Sequence, residues 1–244
     1  MNLILVGASA GLGRALADRL AAKGHNLVIV ASKQADLDAL ASDLQIRHSI
    51  KVVKAALRVG CDSGSVNAII AAAAELGTID GALFPLGYSR ADDDGSLGAE
   101  DIERIISSNL SGIIAICGAL LPGMLDRGEG LFVFFGSVAA ERGRSSNIAY
   151  AAAKRGLQSF AESMRHRCSA TNIKVQYYQL GYLNTAQTFG KRLPFPAAEP
   201  EQAASFIVDN LGKDFGQTYF PWFWRGICLA LRVIPWAVFK KLKF

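Results

Sequence analysis

Asn2-Leu3-Ile4-Leu5-Val6-Gly7-Ala8-Ser9-Ala10-Gly11-Leu12-Gly13, continued by RALADRLAAKG to Gly24, is the stretch that decides the fold. NLILV is a short apolar run with no room for polar alternation, the pattern of a strand buried on both faces of a parallel sheet. After Gly13 apolar side chains recur at helical spacing until Gly24. Between strand and helix lies a glycine-rich turn. Such a turn brings backbone N–H groups to the start of the helix, where the peptide dipoles favour a pyrophosphate. The spacing is G-x-x-x-G-x-G and not G-x-G-x-x-G, but the physical task is the same. Gly7, Ser9, Gly11, Leu12 and Gly13 therefore read as the phosphate-binding turn of a dinucleotide site. A bare tight turn is the alternative, and the strand before and helix after argue for phosphate.

Working outward, NLVIVA at 26–31 reads as a second strand. An acid at the end of that strand would bond the adenosine ribose, whereas a base would accommodate a 2′-phosphate. This chain has Ser32 and Lys33 and no acid before Asp36. That favours NADP(H) over NAD(H), with Lys33 as an ordinary solvated lysine the alternative. The alternation continues with helix 34–47, strand 50–57, helix 64–76, strand 80–86 and a long helix 100–126. Strand 130–136, helix 148–170, strand 172–179, helix 201–211 and strand 217–220 follow. Short connections between alternating elements predict a single-domain α/β Rossmann fold, a doubly wound parallel sheet of about seven strands. The loop ADDDGSLG at 91–98 reads as solvated, its three aspartates otherwise offering a cation site.

A second stretch carries chemistry. Ser137 follows the apolar run LFVFFG, and Tyr150 and Lys154 come in NIAYAAAKRG. Four residues apart on a helix, Tyr and Lys lie on one face a turn apart. A free phenol titrates at about 10, and a nearby ammonium lowers that value and makes the tyrosine a usable general acid. A strand-end hydroxyl beside the pair would polarise a carbonyl. Tyr-x-x-x-Lys alone is common by chance, and the glycine turn gives it meaning by supplying a hydride donor.

Together these residues resemble the short-chain dehydrogenase/reductase family over nearly the whole chain. Gly7, Gly11 and Gly13 match its glycine motif, and Asn109 in SSNLSG matches its central-helix asparagine. Ser137, Tyr150 and Lys154 match its catalytic residues. Gly181 and Thr185 in LGYLNT, with Leu183 between them, match the segment that wraps the nicotinamide. Val6 replaces the usual threonine, Leu180 the usual proline, and Phe84-Pro85-Leu86-Gly87 stands where Asn-Asn-Ala-Gly is frequent; Gly87 stays with the cofactor. Asp62 is the nearest candidate for the acid of the adenine pocket. The resemblance implies hydride transfer between a nicotinamide and a carbonyl or alcohol carbon. It makes Tyr150 the acid in reduction and has Lys154 lower the tyrosine pKa and hold the nicotinamide ribose. Ser137 would bond the substrate oxygen and Asn109 a relay water. Taken singly, Ser137 is a turn serine and Asn109 a backbone-satisfying amide.

Composition bounds the rest. The chain has 244 residues, 51% hydrophobic and 19% charged, ample for one buried α/β core. Cys61, Cys117, Cys168 and Cys228 are scattered and His25, His48 and His166 isolated, so neither disulfides nor a metal site is expected. No basic region precedes the first strand, so no signal peptide is expected. The net charge of +5 is carried by the last 26 residues, where Arg225, Arg232, Lys240, Lys241 and Lys243 stand beside all three tryptophans and no acid. The remainder is neutral, which argues against nucleic acid as a partner. Residues 1–218 thus read as the cofactor-binding domain and 219–244 as a distinct tail. Gly226–Phe239 falls short of the roughly 20 residues a spanning helix needs. Arg232 interrupts it and Pro235 should break it. Trp near both ends and lysines at the terminus predict a helical tail lying on a membrane surface. An arm buried in an oligomer interface is the alternative.

ERGRSSNIAYAAAK and YFPWFWR…IPWAVFKKLKF resemble, more narrowly, the keto-reductase subunits of decaprenylphosphoryl-ribose 2′-epimerase systems. That likeness implies a polyprenyl-phosphate-linked keto-sugar, a partner flavoprotein oxidase, and a role in bacterial cell-wall or surface-polysaccharide synthesis. It also implies a place at the cytoplasmic side of the inner membrane, and makes Arg142, Arg144 and Asn147 substrate residues, the arginines bidentate on a phosphate. Loop arginines paired with Glu141 are the plain alternative. Two readings compete with this one. The first is a reductase of another lipid carbonyl, ketoacyl or sterol-like, suited by Phe84, Leu86 and Phe189. The second is a non-catalytic dinucleotide sensor that docks through the tail. Helices 100–126 and 148–170 are expected to form the face of a homodimer or tetramer.

Overall fold

The computed structural model describes residues 1–190 and 193–242. Residues 191 and 192, and Lys243 of the basic tail with residue 244, lie outside the described residues. Asn2–Val6 forms β1, buried from Leu3 onward. The glycine turn leads into α1 (Gly11–Ala22), which packs Leu12, Leu16 and Leu20 into the core. β2 (Asn26–Ala31), α2 (Gln34–His48), β3 (Val52–Ala56), α3 (Ser63–Ala74) and β4 (Gly81–Phe84) follow. Next come α4 (Ala99–Ile106), one π turn (Ser107–Ser111) and α5 (Gly112–Arg127), with no break between them. β5 (Glu129–Ser137), α6 (Ile148–Arg167), β6 (Asn172–Leu180), α7 (Pro200–Val208) and β7 (Gln217–Phe220) complete the sheet and its cover, before α8 (Trp224–Val233) and α9 (Trp236–Phe239).

Among the described residues seven strands make one sheet in the order β3-β2-β1-β4-β5-β6-β7, every pair parallel. The chain winds outward from β1 in one direction and, after β3, from β4 in the other. That reversal opens a crevice at the carboxyl ends of β1 and β4, where open α/β sheets take ligands. Side chains alternate along β1, so Leu3 and Leu5 join one core while Ile4 and Val6 join the other. Helices cover both faces, which is why the strands read as unbroken apolar runs. The β5–β6 register pairs Ser137 with Leu180 and so sets the serine loop beside Gly181.

The expected single-domain, doubly wound sheet is what forms, with element ends shifted by a few residues. The central helix differs in one respect. Its π turn inserts an extra residue into one turn, a distortion the apolar periodicity does not reveal. Ala99–Arg127 is long and apolar enough to cross a bilayer by length and composition. It instead sends Ile105, Ile113, Ile116, Cys117 and Met124 into the interior.

The tail is continuous with the sheet, because β7 runs past residue 218 to Phe220. Trp224 and Cys228 of α8 pack with Val138, Tyr182 and Tyr219. α8 ends at Val233, short of Pro235, because the residue before a proline is pushed out of the helical region. Ile234 accordingly has φ −61° and ψ 122°.

Candidate active site

Gly7 and Gly11 have φ of +97° and +49°, a region that L side chains rarely enter. A Cβ on Gly7 would lie 2.8 Å from Leu86 Cα, and one on Gly13 would collide with the Gly7 carbonyl. Ala10, at the N-cap of α1, makes no side-chain cap bond. The first N–H groups of α1 thus keep no side chain over them. The turn is a backbone cradle whose size and polarity fit a pyrophosphate.

A cleft of about 370 Å³ leads away from the cradle. Its lining includes Gly7, Ser9, Gly11 and Leu12 of the cradle, Ser137, Tyr150 and Lys154, and Gly87, Gly181, Leu183 and Thr185. Gly13 is buried behind it. Lys154 Nζ lies 5.9 Å from the Tyr150 ring centroid. Ser137 Oγ accepts from Ala139 N at 3.2 Å and lies close enough to the Tyr150 hydroxyl to lower its pKa. Lys154 is buried and donates to Phe135 O at 3.0 Å and Leu86 O at 3.3 Å.

The electrostatics depart from the sequence expectation. Burial raises the Tyr150 phenol above its ordinary value, and the Ser137 bond offsets this only in part. Burial lowers the Lys154 ammonium to about 8. Loss of water dominates both shifts, and the ammonium is directed at two backbone carbonyls.

Asn109 sits in the π turn, buried. Its Nδ2 donates to Tyr88 O at 2.7 Å and Ile105 O at 2.9 Å, while Oδ1 is a buried acceptor with no partner. A Cβ on Gly87 would be 3.5 Å from that Oδ1 and 3.9 Å from Lys154 Nζ, so both groups face Gly87. A π turn of this kind is frequent at functional sites.

On the other side of the cradle a cavity of about 190 Å³ is lined by Ser9, Ser32, Leu57, Arg58, Tyr88 and Arg104, among others. Ser32 lines this cavity, whereas Lys33 and Asp62 do not. Lys33 is exposed at the N-cap of α2. Asp62 caps α3, accepting from Ser65 N at 2.8 Å and Ser65 Oγ at 2.7 Å, and these bonds lower its carboxyl pKa. Short polar side chains are drawn to orphan N–H groups at helix starts, and that is where Asp62 is spent. The cations in its lining are Arg58 and Arg104, the latter lying 3.9 Å over the Tyr88 ring. Arg58 was findable, two residues past the end of β3. Arg104 leaves no sequence signal.

The loop read as solvated holds another missed residue. Asp93 is buried and accepts from Ala149 N and Tyr150 N, both at 2.9 Å. It caps the helix that carries Tyr150 and Lys154. Asp92 pairs with Arg90 and Asp94 with Ser96, and no metal-binding cluster occurs among the described residues.

The sequence profile of the family described as short chain dehydrogenase matches residues 2–192. The chain belongs to the short chain dehydrogenase family. An uncharacterized oxidoreductase of Myxococcus xanthus is 29% identical over 220 residues, 90% of this chain and 87% of its own. A dehydrogenase/reductase SDR family protein 7-like of Anopheles gambiae is 30% identical over 228 residues, 87% of this chain and 72% of its own. A short-chain dehydrogenase from Sphingobium yanoikuyae, solved with NADPH, shares the fold with a TM-score of 0.84 at 22% identity, covering 99% of this chain and 96% of its own. As a member of the short chain dehydrogenase family, the chain is an NAD(P)-dependent oxidoreductase acting on a carbonyl–alcohol pair.

Beyond the family's shared cleft, the residues expected to hold substrate are placed elsewhere. Arg142 and Arg144 line a cavity against the tail and not the cofactor cleft. Arg142 Nη1 donates to Leu231 O at 2.9 Å and Ile234 O at 2.5 Å, and its guanidinium lies 3.9 Å over the Phe239 ring. The last carbonyls of a helix need donors, and this arginine caps α8. Arg144 Nη2 donates to Ala139 O at 3.2 Å. Asn147 takes φ 58° as N-cap of α6, a conformation that asparagine tolerates better than most residues. None of the three lines the cofactor cleft.

Proposed function

We propose that this enzyme is an NADP(H)-dependent reductase of a carbonyl on a lipid-linked, phosphate-bearing substrate, a polyprenyl-phosphoryl keto-sugar of cell-wall or surface-polysaccharide synthesis. The observation that carries the reductase chemistry is the convergence of Ser137, Tyr150 and Lys154 on the cleft that begins at the glycine cradle.

The residues fit the family's nicotinamide cofactor: a side-chain-free cradle for the pyrophosphate, a cationic adenosine end, and a buried orphan acceptor at Asn109. When bound, that group supplies or accepts the hydride. The uncapped N–H groups of α1 and Ser9 would hold its phosphates, and Gly181, Leu183 and Thr185 would close over its nicotinamide end. Ser32 and Arg58 would meet a 2′-phosphate, and no acid lines the adenosine cavity among the described residues. This supports NADP(H) over NAD(H). Ser137 orients the substrate oxygen, and Tyr150 gives it the proton. Lys154, charged below about pH 8, stabilises the tyrosinate that remains. Asn109 Oδ1 would accept from a water that returns a proton toward Lys154.

A lipid-borne substrate is supported by the tail, which exposes Trp222, Leu229, Val233, Trp236 and Val238 and carries bases without acids. On this reading the enzyme works at the cytoplasmic face of the inner membrane, beside a flavoprotein oxidase that makes its carbonyl. It assembles as a dimer or tetramer through the flanks of α4, α5 and α6, where Ile102 and Ile114 are exposed. A second reading, reduction of a ketoacyl or other lipid carbonyl, is favoured by Phe189 and Phe195, exposed on the loop after β6.

NADPH and NADH oxidation measured with a polyprenyl-phosphoryl 2-keto-pentose, beside a ketoacyl substrate, tests these readings. Turnover of the keto-pentose, faster with NADPH, is expected. Turnover of the ketoacyl substrate alone moves the assignment to the second reading. Cofactor binding without hydride transfer to either would leave a sensor.

A further inference from the structure

The cavity that holds Arg142 and Arg144 has a volume of about 920 Å³ and shares no lining residue with the cofactor cleft. Four cations border it, Arg142, Arg144, Arg155 and Lys240. Among the described residues its only acid is Glu141. That carboxylate is buried and already paired with Arg232 of α8 and, at 3.5 Å, with Arg155. Beside Ser145 the remaining walls are mostly apolar, with Ile148, Ala151 and Ala152 from α6 and Trp236, Phe239 and Leu242 from the tail. Arg142 is held in place by its bonds to the α8 carbonyls and by the Phe239 ring, so its charge needs little further ordering to meet an anion. The exposed apolar side chains of the tail begin at the rim, with Trp236 belonging to both surfaces.

We infer that this cavity binds the phosphate headgroup of an anionic membrane lipid, with the lipid chain lying along Trp236, Phe239 and Leu242. Phosphate oxygens match the forked donors of arginine, and an amphiphile matches a cationic rim joined to an apolar wall. A second copy of the chain fits less well, since a two-fold contact would set one cationic rim against the other. The inference rests on the membrane-surface part of the proposed function and not on which carbonyl is reduced. The site seats the enzyme without entering its chemistry.

The test uses the full chain, because removing the tail would leave Glu141 buried without Arg232. Vesicle flotation compares phosphatidylcholine alone with mixtures containing phosphatidic acid or phosphatidylserine at matched surface charge. Ala152→Phe fills the cavity without changing charge, Lys240→Gln removes one cation, and Trp222→Ala alters the tail outside the cavity. Wild type is expected to prefer phosphatidic acid. Ala152→Phe should abolish that preference, and Lys240→Gln should weaken it by about fivefold, the effect of one base near an anionic surface. Trp222→Ala should lower binding to all vesicles alike. NADPH binding should be unchanged in Ala152→Phe and Lys240→Gln. Retained preference in Ala152→Phe overturns the inference. So does binding of inorganic phosphate as tight as that of short-chain phosphatidic acid, or a cross-link between two copies across Ala152. Flotation needs no carbonyl substrate, so failure of the reductase assay and failure of this site are separate results.

Discussion

The cofactor cleft and the tail cavity share one loop, residues 137–148, and are made of different materials. The cleft is built largely on backbone: a glycine cradle, strand ends fixed by parallel pairing, and a few side chains held by buried bonds. The tail cavity is built from long cationic side chains and rings, much of whose surface faces solvent. Backbone surfaces have no means of yielding, whereas long side chains can re-pack. Substitutions in the cleft should therefore act steeply and those around the tail in small factors.

The steepest effect is expected at Tyr150. Tyr150→Phe should lower kcat by about 10²–10⁴-fold, the usual worth of a positioned acid, with NADPH binding by fluorescence titration nearly intact. Normal turnover would remove the reductase assignment. Gly13→Ala sets a Cβ against the Gly7 carbonyl. Overpacking of this kind costs about 1–3 kcal/mol, to be read as a weaker NADPH Kd and a lower Tm together; an unchanged Kd would mean the cradle is more pliant than its geometry implies. Arg58→Ala should weaken NADPH more than NADH, and equal losses would move the 2′-phosphate away from Arg58. Asp93→Ala should lower stability by about 1 kcal/mol, as expected for a lost helix cap. It should also reduce kcat, because the cap bonds Tyr150 N, while Asp92→Ala should do neither.

The smallest effect is a pH dependence. Lys154 holds its proton below about 8 in the fold, against an unfolded lysine value near 10.4. Reductive kcat/KM should bend downward near pH 8 as the ammonium is lost, before the raised Tyr150 titrates. The contribution of Lys154 to stability has the opposite sign. Its burial penalty is present in full below about 8 and is relieved as pH rises towards the unfolded value. An alkaline limb that survives in Lys154→Arg would assign the bend to another group.

Legibility in the sequence followed the distance along the chain over which a feature is assembled. Strand, glycine turn and helix are contiguous, and Tyr150 and Lys154 are one helical turn apart, so local spacing, read together with the family's motifs, pointed to them. Asp93 caps a helix more than fifty residues away, and Arg142 caps one about ninety residues away. Neither partner is visible to periodicity. Asp62 stands at a helix start, where its carboxylate accepts from Ser65 N and Oγ, and Lys33 stands at the start of α2 with no side-chain cap bond. The lysine–tyrosine electrostatics were misjudged because charge proximity can be read from spacing but desolvation cannot.

Arg142 and Glu141 have a mechanical consequence. Glu141 grips Arg232 of α8, and Gln179 links Glu141, at 3.5 Å, to the carbonyl of Ser137, at 2.8 Å. The carboxyl-terminal helices are therefore in series with the loop that carries the serine. A load on the tail, from a tether, a fused tag or a surface that holds it, would reach Ser137 through these bonds. Tethered by its carboxyl end, the enzyme would report tension as a change in turnover.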